Sequence, residues 1–416
     1  MADAVDMHKS HFIPMPRHEV KKRLFAEPQV APLIEEGLES VCTMLEALDH
    51  HSSLSELERL KVLYCAMDPD SESQIEIAEV DSFISAFEEV LVDGNWEHVT
   101  DEEFQLAMDG ESLFPISMDV RLDEFVTMKL YKLGRDEMTE NLPNTLDNLL
   151  GRPGKEIKFE MYNRVIQIIH FKDSKWFMEQ GRKKHDPGKI GEGLHLRLFK
   201  NVPVEDLEII FPNTTPKMRP MDKAKISLPL VIGLVMLFQQ YLLPIIVGGP
   251  TADLSQALLV ALASALGSYA MKAYMTYRKT KETYMAAVAK DLYFKGQANN
   301  QAVLNMVIDL AEEQEVKESL LCYTFLLAEA DVGHTLASLD ARIEAWLAEQ
   351  GVHADFEIRD AIGDLAEMGL MELTGDVRSD DGSWNMDVPL GHIAVPIKES
   401  LARLDDIWDG LYNFEH

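Results

Sequence analysis

The segment ISLPLVIGLVMLFQQYLLPIIVGG, residues 226–249, holds no charged residue in a chain whose net charge is −32. As a helix, residues 226–248 would rise roughly 34 Å at about 1.5 Å per residue, enough for a hydrocarbon layer of about 30 Å. After the turn-forming GGPTAD comes LSQALLVALASALGSYAM, residues 254–271, again uncharged and rising roughly 27 Å. The pair predicts a two-helix transmembrane hairpin. Lys217, Arg219, Lys223 and Lys225 precede it, Lys272, Arg278, Lys279 and Lys281 follow it, and the connecting turn holds only Asp253. Basic residues at both outer ends place both termini on the cytoplasmic side. Two helices buried in a soluble core would leave that charge asymmetry unexplained.

Within the runs, Gln239, Gln240 and Pro244 interrupt the first helix, and amides facing lipid are costly without partners, so they are expected to face protein. Small residues at helical spacing in the second helix, Ala257, Ala261, Ser264, Gly267 and Ser268, let another helix approach closely. A packed hairpin or an oligomer of hairpins is expected. A pore lined by Gln239 and Gln240 is the alternative, and it requires oligomerisation because two spans cannot enclose a channel.

The rest of the composition bounds the chemistry. A length of 416 residues suits two or three domains, and 46% hydrophobic residues suit a folded chain rather than a disordered one. The strong acidity repels nucleic acid phosphates, so no nucleic acid partner is expected. Cys42, Cys65 and Cys322 are odd in number and lack metal-site spacing, so neither a disulfide framework nor a zinc site is indicated. The stretch MADAVDMHKSHFIPMPRHEV lacks the apolar h-region of a secretory signal, so no cleavage is expected there. No nucleophile elbow, P-loop, H-E-x-x-H or dinucleotide fingerprint occurs, so neither an enzyme nor a cofactor is expected.

Residues 1–150 are read as helical, with acidic amphipathic stretches and a capping box at Thr100 and Glu103. In DPDSESQIEIAE, Asp68, Asp70, Glu72 and Glu79 fall at calcium-loop positions. Position six is Ser73 where the sharp turn wants glycine, so an acidic linker with Asp68 capping a turn is favoured over a metal site. From residue 155 the alternation of KEIKFEMYNRVIQIIHFKDSKWF and GLHLRLFKNV predicts antiparallel strands in a small α+β domain, residues 151–225. Over residues 155–225 there are 15 basic against 10 acidic residues, a local excess drawn to anionic headgroups.

The second spanning helix, residues 254–275, is expected to run on into a helical stalk over residues 276–330. There Asn299 and Asn300 cap the next helix, and Glu312, Glu315 and Glu318 meet the basic sheet as an interdomain seam. Residues 331–416 give a helix capped at Thr335, another capped at Asp355, then MELTGD and SWNMDVPL as two short strands, the order of a winged helix. The second of these helices holds Asp355, Glu357, Asp360, Asp364 and Glu367 against Arg359 alone, a charge that repels DNA and suits a protein partner.

FKNVPVEDLEIIFPNTTPKM ahead of the hairpin, LYFKGQANNQAVLNMVIDLAEEQEVKESLLCY after it, and FIPMPRHEVKKRLF and YCAMDPD near the start together resemble the transmembrane protein 143-like family, defined by a shared domain of unknown function. The resemblance spans most of the chain and is most specific over residues 199–212 and 292–323. It implies a membrane protein and brings no catalytic residues to carry over. Eukaryotic members are associated with mitochondria, but this N-terminus is not an Arg-rich, acid-poor presequence, so a bacterial inner membrane is expected. The expected fold class is therefore a mainly α membrane protein. It combines a helical N-terminal region, a small α+β domain, the hairpin at 226–249 and 254–275, a stalk and a winged-helix-like domain. The expected role is an oligomeric membrane-anchored scaffold or adaptor, with membrane lipids, further copies of itself and a cytoplasmic protein as partners.

Overall fold

The computed structural model describes residues 10–71, 80–109, 117–142, 155–217, 256–373, 377–378, 382–390 and 393–411, together with Leu228, Val231, Ile232, Val235 and Gln239. The chain divides into two compact units, one of residues 1–99, 125–201 and 297–416, the other of residues 100–124 and 202–296. The strands are β1 (Glu97–His98), β2 (Ser117–Asp119), β3 (Phe125–Leu142), β4 (Lys155–Phe171), β5 (Leu194–Pro203), β6 (Thr215–Lys217) and β7 (Gly296–Asn299). The helices are α1 (Arg17–Leu24), α2 (Ala31–Glu36), α3 (Leu38–Tyr64), α4 (Val80–Asp93), α5 (Asp101–Asp109), α6 (Ser174–Glu179), α7 (Gln256–Lys295), α8 (Gln301–Ala328), α9 (Leu336–Glu349), α10 (Ile358–Glu367) and α11 (Ile397–Gly410).

In the first unit a five-stranded sheet has the order β1-β3-β4-β5-β7, with β3 antiparallel to both β1 and β4. Alternation sends Ile166 and Ile168 of β4 and Leu194, Leu196 and Leu198 of β5 to one face, where they pack with Tyr64, Phe83, Phe87, Val303 and Val307 from α3, α4 and α8. A second core is built mainly from helices. Leu320, Leu321 and Phe325 of α8 pack there with Ile343 and Trp346 of α9, Ile362 and Leu365 of α10 and Leu404 of α11. Helix α8 thus runs through both cores, and each fully buried aliphatic or aromatic side chain contributes about 1.5–3 kcal/mol. Between its two apolar halves lies a polar waist, in which Glu312, Gln314, Lys317 and Glu318 are all buried.

In the second unit β2 pairs antiparallel with β6, and α5 packs on a 3-10 turn, Val204–Ile210, with the Phe104 and Phe211 rings 5.8 Å apart. The Thr100 capping box is formed: Glu103 N donates to Thr100 Oγ1 at 3.2 Å, and Thr100 N donates to Glu103 Oε2 at 3.0 Å. Buried Glu124 accepts from Asn213 Nδ2 at 3.0 Å.

The membrane expectation is corrected. Among the described residues no helix is long and apolar enough to cross a membrane, so the fold is a helical protein with a five-stranded antiparallel sheet. The two-span hairpin and the multi-pass placement in a bacterial inner membrane with both termini cytoplasmic are overturned with it. The physical reason is visible in α7. Over its described residues, Gln256–Lys295, the part without charge is residues 256–271, ahead of Lys272. Ser264, Gly267, Ser268 and Tyr269 dilute even that part, and residues 272–295 carry its charges. Most of the first run lies outside the described residues; Leu228, Val231, Ile232 and Val235 are helical and exposed.

Two further expectations change. Residues 125–142, read as part of a helical region, form β3, which pairs with β4 along its length. The outer part of this ribbon is held by charge pairs, Arg135 with Glu160 and Lys158 with Glu137, which mask the apolar alternation of a strand. At the C-terminal end, α9 has its capping box at Thr335 and Ser338, whereas α10 begins at Ile358, and the Asp355 N–H is taken by Ser10 O at 3.0 Å. MELTGD and SWNMDVPL contribute isolated antiparallel bridges, Met371 to Ala394 and Arg378 to Trp384.

Candidate functional site

The polar waist of α8 faces two ways. On one side the extended segment ahead of α1 is laid along the helix. Ile13 N donates to Gln314 Oε1 at 3.1 Å and Ile13 O accepts from Gln314 Nε2 at 3.3 Å, as one strand would treat another. Lys317 Nζ donates to Ile13 O at 2.7 Å and to Met15 O at 3.3 Å, Arg17 N donates to Glu313 Oε1 at 2.9 Å, and Glu312 joins Arg17 and His50. Every one of these charges has a partner.

On the other side Glu315 and Glu318, three residues apart on one stripe of α8, line a cleft of about 770 Å³. Asp49, Ser52 and Ser55 reach it from α3, Asp93 from the end of α4, and Asp360, Asp364 and Glu367 from α10. Those last three recur at i, i+4 and i+7, the outer face of a helix whose Ala361, Ile362 and Leu365 are buried. Trp384, Ile407 and Leu411 form an apolar wall, and the Arg378 guanidinium lies 5.0 Å from the centroid of the Trp384 ring.

The electrostatics of this cleft are those of carboxyls crowded with few cations. Burial, then the charges of Asp49, Asp364 and Asp93, push Glu315 up to about 9. Burial and Asp360 raise Asp364 to about 7. Asp49 is raised by burial to about 6, an effect partly offset by its hydrogen bond with Glu315. Burial also raises Glu318, whose Oε1 accepts from Asn95 Nδ2 at 2.5 Å. Asp49 Oδ2 is enclosed and has no hydrogen-bond partner among the described residues. At neutral pH the cleft therefore holds protons that a bound cationic group would displace.

The sequence-predicted residues are dispersed. Glu312 joins the seam with Arg17 and His50, while Glu315 and Glu318 enter the cleft. Asn300 precedes α8 with φ 52° and makes no side-chain cap; its Nδ2 donates to Asp70 Oδ2 at 2.7 Å, and Asn299 is exposed in β7. Asp68 Oδ1 accepts from Asp70 N at 3.0 Å, closing the turn, while Glu72 and Glu79 lie outside the described residues. Among the described residues no three His, Cys, Asp or Glu side chains are grouped to hold a metal ion. Gln239 is exposed, Gly267 and Ser268 are exposed on α7 with Ser264, and Gln240, Pro244 and the side chains of Ala257 and Ala261 lie outside the described residues. The contributions of Asp49 and Asp93 were not singled out in the sequence, because Glu315, Asp360 and Asp364, which share the cleft with them, lie more than 200 positions away.

Residues 162–302 match the family described as a protein of unknown function, DUF3754. The match supports assignment to a family whose role is uncharacterised, and it covers the second half of β4 together with α6, β5, β6, α7 and β7. The carboxyl-lined cleft draws its residues from outside the matched segment. No solved structure matches the chain.

Proposed function

We propose that the chain is an adaptor whose carboxyl-lined cleft docks a lysine- or arginine-bearing segment of a protein partner. The observation that carries this is the convergence of Asp49, Glu315, Asp360 and Asp364 from three helices on one cleft beside the Trp384 wall. A guanidinium or ammonium entering there would meet acceptors, including Asp49 Oδ2, which has no partner among the described residues, and its alkyl stem would lie on the apolar wall. Self-association is part of the proposal. Leu228, Val231, Ile232 and Val235 recur at one-turn spacing and are exposed in the second unit, an apolar stripe suited to the same stripe of another copy. The finer family reading, transmembrane protein 143-like, is supported by the segment 199–212 and part of the segment 292–323 falling within the matched residues.

Titration of the full chain with a fluorescent lysine-rich peptide tests the docking reading. Saturable binding that weakens with salt, releases protons at pH 7 and drops about tenfold or more in Asp360→Asn/Asp364→Asn is expected. Equal binding of a glutamate-rich peptide, or an unaffected double variant, would end it.

A further inference from the structure

A second surface of the first unit has the opposite character. Residues 172–192 carry Lys172, Lys175, Arg182, Lys183, Lys184 and Lys189 against Asp173, Glu179, Asp186 and Glu192. Two of the four acids are engaged in local hydrogen bonds: Asp173 Oδ1 caps α6 by accepting from Trp176 N at 2.9 Å, and Asp186 Oδ1 accepts from Ser174 Oγ at 3.1 Å and Gly188 N at 2.9 Å. These bonds tie the loop back onto α6, and buried Phe177 pins that helix to the unit. Lys183, Lys184 and Lys189 are left exposed, with no ion pair among the described residues. Beside them Ile190 is 82% exposed, Val126 62% and Met178 58%, a degree of aliphatic exposure that packing within the chain does not explain.

We infer that this lysine and aliphatic patch docks on an anionic lipid surface, with Lys183, Lys184 and Lys189 at the headgroups and Ile190 and Met178 entering the boundary with the acyl chains. The pattern is that of an interfacial segment, cationic residues around a few exposed apolar ones. It is a surface contact made by side chains and needs no spanning helix. A nucleic acid fits less well, because base stacking wants a free aromatic face. Trp176 already has Lys172 Nζ 5.1 Å and Arg182 Cζ 5.6 Å from its ring centroid.

Flotation of the full chain with vesicles of phosphatidylcholine alone, or mixed with phosphatidylglycerol, decides the matter. Preference for the anionic vesicles, released by salt, is expected. Lys183→Glu/Lys184→Glu/Lys189→Glu should lower that partition by at least roughly a hundredfold, at about fivefold for each positive charge lost and more for its reversal. Ile190→Ser should lower it several-fold and leave the salt dependence unchanged, separating insertion from charge. Equal partition into both vesicle types, wild-type partition of the triple variant, or tighter binding of single-stranded DNA through the same lysines would each overturn the assignment.

Discussion

On one face of α8 Glu312, Glu313 and Lys317 meet Arg17, His50 and the backbone of residues 13–17; on the other, Glu315 and Glu318 meet Asp49, Asp360 and Asp364. The same residue types, a few ångströms along one helix, are thus resolved in two ways. In the seam each charge is matched by an opposite charge or a hydrogen-bonding backbone group, which holds the N-terminal segment in place. In the cleft the matching group is a proton. A pairing that is complete within the chain serves structure, whereas one completed from solution leaves the site open to an exchangeable cation.

The largest expected effect breaks the seam. Lys317→Ala removes a buried ammonium that serves two backbone carbonyls and lies 5.7 Å from the Phe12 ring centroid. Two acceptors are left enclosed, and the loss is expected to be about 3 kcal/mol in a denaturant melt at pH 7. A loss under about 1 kcal/mol would mean that the seam is not what fixes the N-terminal segment.

The next effect sharpens the contrast through pH. Glu315 is raised from its ordinary 4.5 to about 9 and Asp364 from 3.8 to about 7, so across that interval the folded chain holds protons the unfolded chain has released. Their contribution to stability is complete below the ordinary carboxyl range and is lost as pH rises towards about 9. Lys317 acts in the reverse sense: burial lowers it from 10.5 to about 8, and between those values the unfolded chain holds the extra proton, so stability gains with pH there. Denaturant midpoints from pH 5 to 8 should fall in the wild type. They should fall less in Glu315→Gln/Asp364→Asn, which should be the more stable by at least about 1 kcal/mol at pH 8. Parallel profiles would remove the proton from the account of the cleft.

Much of the local structure was legible in the sequence. Alternation marked β4 and β5, the Thr100 capping box formed as its spacing predicts, and the helix capped at Thr335 formed as well. The acidic outer face of α10 was visible as well, at Asp360, Asp364 and Glu367. What it faces was not, because the cleft is assembled from Asp49, Asp93, Glu315 and Asp364, which no local period connects. β3 was hidden for a different reason: its outer half is paired through charges, so the two-residue apolar rhythm is absent where the strand is most exposed. The apolar runs misled because a stretch without charge is not thereby apolar along its length. Over the described residues of α7, Ser264, Gly267, Ser268 and Tyr269 and the charges from Lys272 onward leave no stretch long and apolar enough for a span.

The smallest expected effect concerns a polar group handled in neither way. Gln167, opposite Leu130 in the sheet, has no solvent exposure, and neither its Oε1 nor its Nε2 has a hydrogen-bond partner among the described residues. It cannot discharge itself by taking a proton, as Glu315 does, and it has no counterpart like that of Lys317. Its enclosed amide should therefore cost stability, and Gln167→Met, which keeps the length of the side chain and removes the amide, should gain about 1 kcal/mol in a denaturant melt. That gain should be independent of pH, since nothing at the substituted position titrates. A loss of similar size would show that the amide is bonded, and the natural partner at such a place is an enclosed water making two or more hydrogen bonds. In that case the sheet too would complete its pairing from solution, and the distinction drawn between the faces of α8 would extend to the strand beside them.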